Sequence, residues 1–243
     1  MDERRPGLAV LIDADNTSHK YADAIFEEIA KLGEASVRRI YGDFSGDRLR
    51  GWNEVTEKLA ILQTQARSNT PGKNASDIAL VIDAMDLLYR GHLDGFCLIS
   101  SDSDFTRLAQ RLREQGATVY GFGMRKTPRA FVSACNRFIY VENIIADDGA
   151  EPSQSPGAEA STVEAVDLIG KAMAELEDAE GWAHLGAVGS HVSTLAPDFD
   201  PRTYGCSKLS TLVEKTGRFE INRSEGKVLI RRKTTRPKSR KKG

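Results

Sequence analysis

The first 146 residues alternate between short apolar runs and longer stretches with helical periodicity, and this alternation constrains the fold more than any other feature of the chain. The apolar runs are predicted strands and lie at residues 8–13, 36–41, 60–65, 95–100, 117–122 and 138–142. The stretches between them are predicted helices and lie at residues 18–32, 50–59, 75–90, 103–115 and 128–135. Short strands that are apolar throughout and are separated by helices are typical of a mostly parallel sheet with helices on both faces. We therefore predict an α/β fold for this part of the chain.

Aspartates follow two of the predicted strands and open one of the predicted helices. Asp13 ends the first strand, Asp102 and Asp104 follow the fourth, and Asp77 lies at the start of the third helix. Any one of them is explained equally well as a helix cap. Because ligands bind outside the carboxyl ends of parallel strands, the set as a whole is expected to line one cleft at that edge of the sheet. Two unit charges 4 Å apart repel by about 4 kcal/mol at an effective dielectric of about 20. Such a set predicts a bound divalent cation, and oxygen ligands suit Mg²⁺ or Mn²⁺.

Residues 8–144 resemble the NYN family of PIN-like nucleases. The segments that carry the resemblance are Leu11–Asn16, Lys73–Asp83, Ile99–Phe105 and Val119–Gly123, in the order in which the family has its acidic motifs. The resemblance implies a metal-dependent ribonuclease, with an endonuclease as the expected type. It also implies which residues act: Asp13, Asp77, Asp102 and Asp104 as catalytic metal ligands, with Asn16 assisting. The residues themselves do not fix whether one or two ions act, or whether cutting is endonucleolytic or exonucleolytic.

Basic residues are predicted on loops around the same cleft. They are Lys73, Arg125, Lys126 and Arg129, together with Arg67. Backbone phosphates are bound by such side chains without any reading of sequence, so these residues are candidate RNA contacts. The alternative, which stays open, is that they are ordinary solvated loop residues.

A second, smaller domain is predicted after a linker. Residues 147–162 are rich in Asp, Glu, Pro, Gly and Ser and predict a flexible acidic linker. Residues 163–232 predict three helices and a hairpin, which is the winged-helix pattern. The three helical faces are Val163, Val166, Ile169, Met173 and Leu176; Leu185, Val188, Val192 and Leu195; and Leu209, Leu212 and Val213. Residues 233–243 predict a basic disordered tail.

The second domain resembles the LOTUS (OST-HTH) family. The resemblance rests on Phe199–Leu209 and on Gly181-Trp182 after the first helix. It implies binding of single-stranded or structured RNA or, in some members, docking of a protein partner. Arg202 and Lys208 are candidate RNA contacts, weighed equally against simple exposure. Cys206 departs from the family pattern, which commonly has an aromatic residue there.

Charge is strongly segregated along a chain whose net charge is only −1. Residues 147–180 carry ten acidic side chains and one lysine, whereas residues 227–243 carry nine Lys and Arg and no acidic residue. The basic end is expected to contact RNA in a salt-sensitive way. It could equally neutralise the acidic stretch.

Cysteine usage and the first residues predict a cytoplasmic protein with no membrane span. The three cysteines have no CxxC or other ligand-like spacing, so we expect reduced thiols. The first apolar run is only five residues long before Asp13, which is too short for a signal peptide or a membrane helix.

Two other functions remain open at the level of sequence. Asp13-Ala14-Asp15-Asn16-Thr17 matches the DxDxT motif of haloacid-dehalogenase-like phosphatases, in which Asp13 would be a covalent nucleophile. A non-catalytic RNA-binding or adaptor protein is the second alternative, because intact acidic residues do not guarantee turnover. The oligomeric state is also open, and a homo-oligomer is compatible with the sequence.

Overall fold

The computed structural model describes residues 4–66, 74–145, 158–224 and 226–233, and it divides into two compact units, Met1–Glu151 and Pro152–Gly243. Three sequence-based expectations fall outside the described residues: the RNA contacts at Arg67 and Lys73, the part of the linker up to residue 157, and the basic tail from residue 234. Within the described residues, no helix is both long enough and apolar enough to cross a bilayer.

The first unit alternates strands and helices along the chain. Its strands are β1 (Gly7–Asp13), β2 (Glu34–Gly42), β3 (Leu62–Gln65), β4 (Gly95–Ile99), β5 (Thr118–Gly123) and β6 (Arg137–Tyr140). Its helices are α1 (Ala22–Leu32), α2 (Trp52–Lys58), α3 (Ala75–Arg90), α4 (Thr106–Glu114), α5 (Arg129–Ala134) and α6 (Val141–Ile145). These elements confirm the predicted alternation.

In the described part of this unit, six strands form one parallel sheet in the order β3-β2-β1-β4-β5-β6. In β1, Ile12 lies beside Ile40 of β2 and Ile99 of β4. The chain therefore winds outward from β1 in both directions, and the strand order reverses between β1 and β4. The prediction of an α/β fold with a parallel sheet is confirmed.

Helices cover both faces of the sheet because the central strands are apolar on both faces. Every residue of β1 is buried, and successive side chains alternate between two separate cores. Ala9 and Leu11 pack in the core under α3, α4 and α5, whereas Val10 and Ile12 pack in the core under α1, α2 and α6. A central strand of this kind is compatible only with a sheet that is enclosed by helices.

One predicted strand ends early. The run 138–142 was expected to be extended, but β6 stops at Tyr140 and α6 follows at once. A short apolar run fits a buried helix as well as a buried strand, so periodicity alone does not separate the two. Val141 and Ile144, three residues apart, are both buried in the core under α1.

The second unit contains helices α7 (Ala158–Ala174), α8 (Leu185–Leu195) and α9 (Leu209–Thr216). It also contains strands β7 (Trp182–His184), β8 (Phe219–Ser224) and β9 (Lys227–Arg232), paired antiparallel in the order β7-β9-β8. The predicted three helices and hairpin are confirmed. β7 was not predicted, because three residues are too few to show an alternating pattern. α7 begins at Ala158, inside the range expected to be linker, since Ala158-Glu159-Ala160 favours a helix.

The core of the second unit uses only part of each predicted helical face. Ile169, Val188, Val192, Leu212 and Val213 are fully buried. Three residues assigned to the same faces lie on the surface instead, namely Val163, Leu176 and Leu195, which are 61%, 39% and 45% exposed. Val163 and Leu195 are the first and last residues of their predicted faces, whereas Leu176 lies in the turn after α7, which ends at Ala174.

Candidate active site

The candidate site lies at the carboxyl edge of the sheet, at the point where the strand order reverses. Asp13 is the last residue of β1, and Ser100, Ser101 and Asp102 follow β4, the neighbouring strand. In open α/β sheets this reversal leaves a crevice in which ligands bind. The predicted acidic residues therefore come together for the topological reason that the sequence suggested.

Asp13 is almost completely buried and is held by four hydrogen-bond donors. Its Oδ1 accepts from the backbone N–H groups of Asp15 at 3.1 Å and Asn16 at 3.3 Å. Its Oδ2 accepts from Asn16 Nδ2 at 2.8 Å and from Ser100 Oγ at 2.7 Å. Burial raises the pKa of Asp13, and the bonds from Ser100 and Asn16 oppose that rise. The result is a buried carboxylate with a fixed orientation.

The pKa of Asp77 reflects the electrostatics of the whole cluster of carboxylates. It lies in the first turn of α3 and is half-buried. Burial and then the charges of Asp13, Asp102, Asp15 and Asp104, in that order, raise its pKa to about 6. The structure thus brings together Asp13, Asp77, Asp102 and Asp104 as predicted. It also adds Asp15, whose position was uncertain from the sequence.

Asp102 and Asp104 lie in the turn that precedes α4. Asp102 caps the 3₁₀ turn Ser103–Phe105 by accepting from Asp104 N–H at 2.9 Å. The capping interpretation is therefore correct for Asp102, and it does not compete with a role at the site, because one carboxylate has four lone-pair positions. Asp104 accepts from Asn74 Nδ2 at 3.4 Å.

Asp15 and Asp83 are each paired with other groups. Asp15 binds Arg48 and accepts from Ser76 Oγ at 3.1 Å, which places Arg48 at the rim of the site. Asp83 faces away from Asp77 and binds Arg39 and the Tyr41 hydroxyl. Asp83 therefore belongs to a separate network under α3.

The donors at this edge fit a hard divalent cation, although they do not form a complete cage. In the part of the chain that the structure describes, no three carboxylate, imidazole or thiolate side chains are arranged to hold an ion by themselves. The groups that converge are oxygen donors, and burial together with their mutual repulsion raises the pKa of Asp77. Mg²⁺ keeps several of its waters and needs only one or two direct carboxylates. Ligation that is partly through water is compatible with this arrangement.

The structure places the predicted basic residues after β5. Lys126 and Arg129 are exposed, and Arg129 opens α5. Arg125 donates to Asn143 Oδ1 at 2.6 Å and lies 5.5 Å from the centre of the Tyr140 ring. Each of them stays a prediction as an RNA contact.

In the second unit, Arg202 and Lys208 have different surroundings. The guanidinium of Arg202 binds the Asp200 carboxylate, with Nη2 2.7 Å from Oδ2, and its side chain is 15% exposed. Lys208 precedes α9 and is exposed. Both stay predictions as RNA contacts, and Lys208 is the more accessible of the two.

Sequence reasoning missed Ser100, Asn74 and Arg48. Ser100 Oγ donates to Asp13 and accepts from Asp102 N–H at 3.0 Å, so it links the ends of β1 and β4. The signal available for Ser100 was its position directly after the strand that precedes Asp102. Arg48 stands in no motif, so the sequence offered no signal for it. Asn74 lies within the segment Lys73–Asp83 that carries the family resemblance, but no residue pattern there indicates its contact with Asp104.

Comparison with known protein families agrees with this architecture. A family model of the NYN domain matches residues 7–142, and a model of the OST-HTH/LOTUS domain matches residues 159–231. A search of curated proteins finds no match. Among solved structures, the chain resembles a protein of unknown function from Vibrio parahaemolyticus at 16% identity, over 57% of this chain and 94% of that one. The TM-score of that match is 0.48, which supports no further conclusion. The two domain matches show that the chain belongs to the NYN family of PIN-like nucleases and carries a C-terminal OST-HTH/LOTUS domain.

Proposed function

We propose that this protein is a metal-dependent ribonuclease that hydrolyses RNA phosphodiester bonds at the carboxyl edge of its parallel sheet and acts as an endonuclease. The observation that carries the proposal is the raised pKa of Asp77, caused by burial and by four neighbouring carboxylates. A protein gains nothing in stability from such repulsion. The cluster is explained if a bound cation compensates the charge of the carboxylates and binds a phosphate of the RNA.

Asp13, Asp77, Asp102 and Asp104 would hold Mg²⁺ or Mn²⁺. Bound there, the ion would lower the pKa of a water molecule and stabilise charge on the attacking and leaving oxygens.

The chain's own groups have two further tasks. Asn16 and Ser100 fix the Asp13 carboxylate, since both donate to its Oδ2 within 2.8 Å. Such outer partners orient metal ligands and commonly change activity by about 10- to 100-fold when they are removed. Arg48, Arg125, Lys126 and Arg129 supply positive charge for phosphates on either side of the bond that is cut.

The LOTUS domain is proposed to bind the same RNA, with Lys208 and Arg202 as contacts. Because both domains are on one chain, RNA held by one is present at a high effective concentration for the other. The proposal also includes a protein partner for the LOTUS domain and a homo-oligomer. The described cysteines are buried free thiols, which is compatible with a cytoplasmic protein.

One observation favours a second candidate, an RNA-binding or adaptor protein without catalysis. The described residues contain no complete cation cage, so a site that binds RNA without cutting it would look the same. The phosphatase alternative is disfavoured by the NYN match.

The deciding experiment measures cleavage of single-stranded and structured RNA with Mn²⁺ or Mg²⁺. We expect Asp102→Asn and Asp104→Asn each to lower the rate at least about 100-fold, the upper end of the loss seen for outer partners. Ser100→Ala should lower it by about 10- to 100-fold and raise the Mn²⁺ concentration needed for half-maximal rate.

Asp86→Asn is the matched control, because Asp86 is an exposed aspartate farther along α3. If EDTA does not abolish cleavage by the wild type, or if Asp102→Asn cleaves RNA at the wild-type rate, the metal-dependent nuclease is rejected. RNA binding without any cleavage would establish the adaptor.

A further inference from the structure

A cavity of about 170 Å³ lies beside the acidic site at the same edge of the sheet. Residues 16–18, from the loop after β1, form one part of its lining. The ends of β4 and β5 form another, through Ile99, Phe122 and Gly123. Asn16, which lines the cavity, donates to Asp13 Oδ2 at 2.8 Å. The cavity and the buried carboxylate therefore share a residue, and a ligand could occupy both at once.

The walls of this cavity are mostly apolar and include one aromatic side chain with a polar tip. Ile99, Phe122 and Val141 are buried, and Tyr21 and Met124 are half-buried. All five belong to the core under α1 or pack against it, so the cavity is a gap at the end of that core. An ionic group would lose its hydration here with little to replace it, so an apolar ring fits better than a phosphate.

Hydroxyl groups give the cavity a small number of polar positions. Ser101 Oγ accepts from Met124 N–H at 2.9 Å, which leaves its hydrogen available to donate. Thr17 Oγ1 donates to the Ile99 carbonyl at 3.2 Å, which leaves its lone pairs available to accept. Apolar walls with a few fixed donors and acceptors are typical of sites that bind a planar heterocycle.

We propose that this cavity binds one pyrimidine base of the RNA, from a nucleotide next to the bond that is cut. The inference rests on the proposed nuclease function, since that function places RNA at the neighbouring acidic site. A cavity of about 150 Å³ lined by aliphatic and aromatic side chains holds one benzene ring. A volume of about 170 Å³ therefore suits a single six-membered ring with its exocyclic oxygens better than the two fused rings of a purine.

The first test is binding of mononucleotides, which contain no phosphodiester bond and so separate binding from cleavage. The wild-type chain of 243 residues in Mg²⁺ buffer is titrated with UMP, CMP, AMP and GMP, and backbone amide shifts are followed by NMR. We expect UMP and CMP to shift the amides of Gly123 and Met124 and to bind at least about 5-fold more tightly than AMP and GMP, the low end of base-stacking effects. Equal affinity for all four, or no shift at Gly123 and Met124, would overturn the proposal.

Two variants of opposite effect keep the test independent of folding defects. Met124→Trp should fill the cavity and weaken UMP binding by about 5- to 150-fold. Tyr21→Ala should enlarge it and bring the affinity for AMP up to or above that for UMP. Tyr89→Ala is the matched control, because Tyr89 is exposed and lies 12 residues along α3 from Asp77, about 18 Å away. If Met124→Trp binds UMP as the wild type does while its spectrum stays folded, the proposal is wrong.

Cleavage of an RNA that contains all four bases distinguishes this proposal from the nuclease itself. We expect cuts at a fixed offset from pyrimidines, and we expect Tyr21→Ala to relax that preference. Pyrimidine binding without any cleavage would reject the nuclease and keep the base site. Cleavage whose base pattern is the same in wild type, Met124→Trp and Tyr21→Ala would reject the base site and keep the nuclease.

Discussion

Asp13 and Asp77 carry the same charge at the same edge of the sheet, yet the fold supports them differently. Asp13 receives four hydrogen bonds, from Asn16, Ser100 and two backbone amides. Asp77 has no hydrogen-bond donor among the described residues, and the neighbours that act on it are carboxylates. Asp13 is therefore a pre-oriented group, whereas the charge of Asp77 is not compensated by any of the residues that the structure describes.

Replacing Asp77 by Asn should stabilise the metal-free protein at neutral pH. The folded-state pKa of Asp77 is about 6, above the ordinary 3.8, so the native state favours the protonated form. Its favourable contribution to stability is complete below pH 3.8 and is lost as pH rises through about 6. In EDTA, Asp77→Asn should accordingly raise the melting temperature at pH 7.5, and this gain should shrink as pH falls toward 4. Thermal unfolding at several pH values measures it.

Asp86→Asn serves as the control, and it should give a small change that does not depend on pH in this way. Added Mn²⁺ should stabilise the wild type more than Asp77→Asn, because the variant lacks one of the anions that attract the ion. A gain from Asp77→Asn that is equal at pH 7.5 and pH 4.5 would contradict the electrostatic account of the cluster.

At the scale of residues, the sequence predicts which acidic side chains reach the site, but it does not predict which groups form hydrogen bonds with them. Asp13, Asp77 and Asp102 could be found because strand ends and helix starts are visible as changes of periodicity. The hydrogen bond from Ser100 to Asp13 could not be predicted, because it depends on β1 and β4 being neighbours in the sheet. The two strands are far apart in the sequence, since Asp94, the residue before β4, is 81 positions after Asp13. Arg48 has the same difficulty, because it reaches the site from a loop with no recognisable pattern. Asn74 directly precedes α3 in a segment that carries the family resemblance, yet its contact with Asp104 depends on the packing of α3 beside the turn after β4.

At the scale of elements, the predicted alternation was confirmed, and the errors lie where strands or helices are short. β7 has three residues and α6 has five, so neither shows a full period of its pattern. The ends of the long elements α3 and β1 were predicted within about two residues, because a glycine or a charged residue bounds them. Element boundaries matter for function here, since the site is built from the residues that immediately follow β1 and β4.

Gly121 in β5 lies next to the site, where β5 packs closely against β6 and the end of α5. A Cβ at this position would lie 2.4 Å from Phe138 Cδ2 of β6 and 2.7 Å from Cys135 Sγ after α5. Gly121→Ala should therefore destabilise the protein by about 1–3 kcal/mol, the usual cost of overpacking a buried site. Chemical denaturation gives the free energy of unfolding.

Gly46→Ala is the matched control, because a Cβ at Gly46 would have nothing within 4 Å. Its effect should stay within about 0.5 kcal/mol, as for other surface substitutions. If the two variants unfold at the same denaturant concentration, β5 and β6 are not as tightly packed as the distances indicate.

At the scale of the whole molecule, the chain joins an acidic nuclease-like site to a second domain and a basic end. The acidic residues of the first unit converge on one edge, where they exclude RNA phosphates unless a cation is present. Attraction for the RNA backbone then has to come from elsewhere on the chain. The groups that we propose for it are Arg48, the loop cations after β5, Arg202, Lys208 and the basic C-terminal residues.

Deleting residues 234–243 should weaken RNA binding in a way that depends on salt. The deleted segment contains five cations, Arg236, Lys238, Arg240, Lys241 and Lys242. If all five neutralise phosphates of single-stranded RNA, the slope of log K against log salt should become less negative by up to about 3.5, at about 0.7 for each phosphate. Fluorescence anisotropy between 50 and 300 mM salt measures that slope, and the control carries a neutral Gly/Ser segment of the same length.

The competing arrangement, in which the basic end neutralises the acidic stretch 147–180, predicts weaker binding for a different reason. In that case the ten acidic residues of the stretch would be uncovered by the deletion and would repel RNA, so affinity would fall without any loss of released counterions. Because added salt screens this repulsion, the slope would again become less negative, so the slope alone does not separate the two arrangements. Replacing the acidic residues at 147, 148 and 151 by Asn and Gln separates them, because it should partly restore binding of the truncated chain only if that stretch repels RNA. A rate of cleavage at saturating RNA that is unchanged by the truncation would show that the basic end acts in binding and not in the chemistry at Asp13 and Asp77.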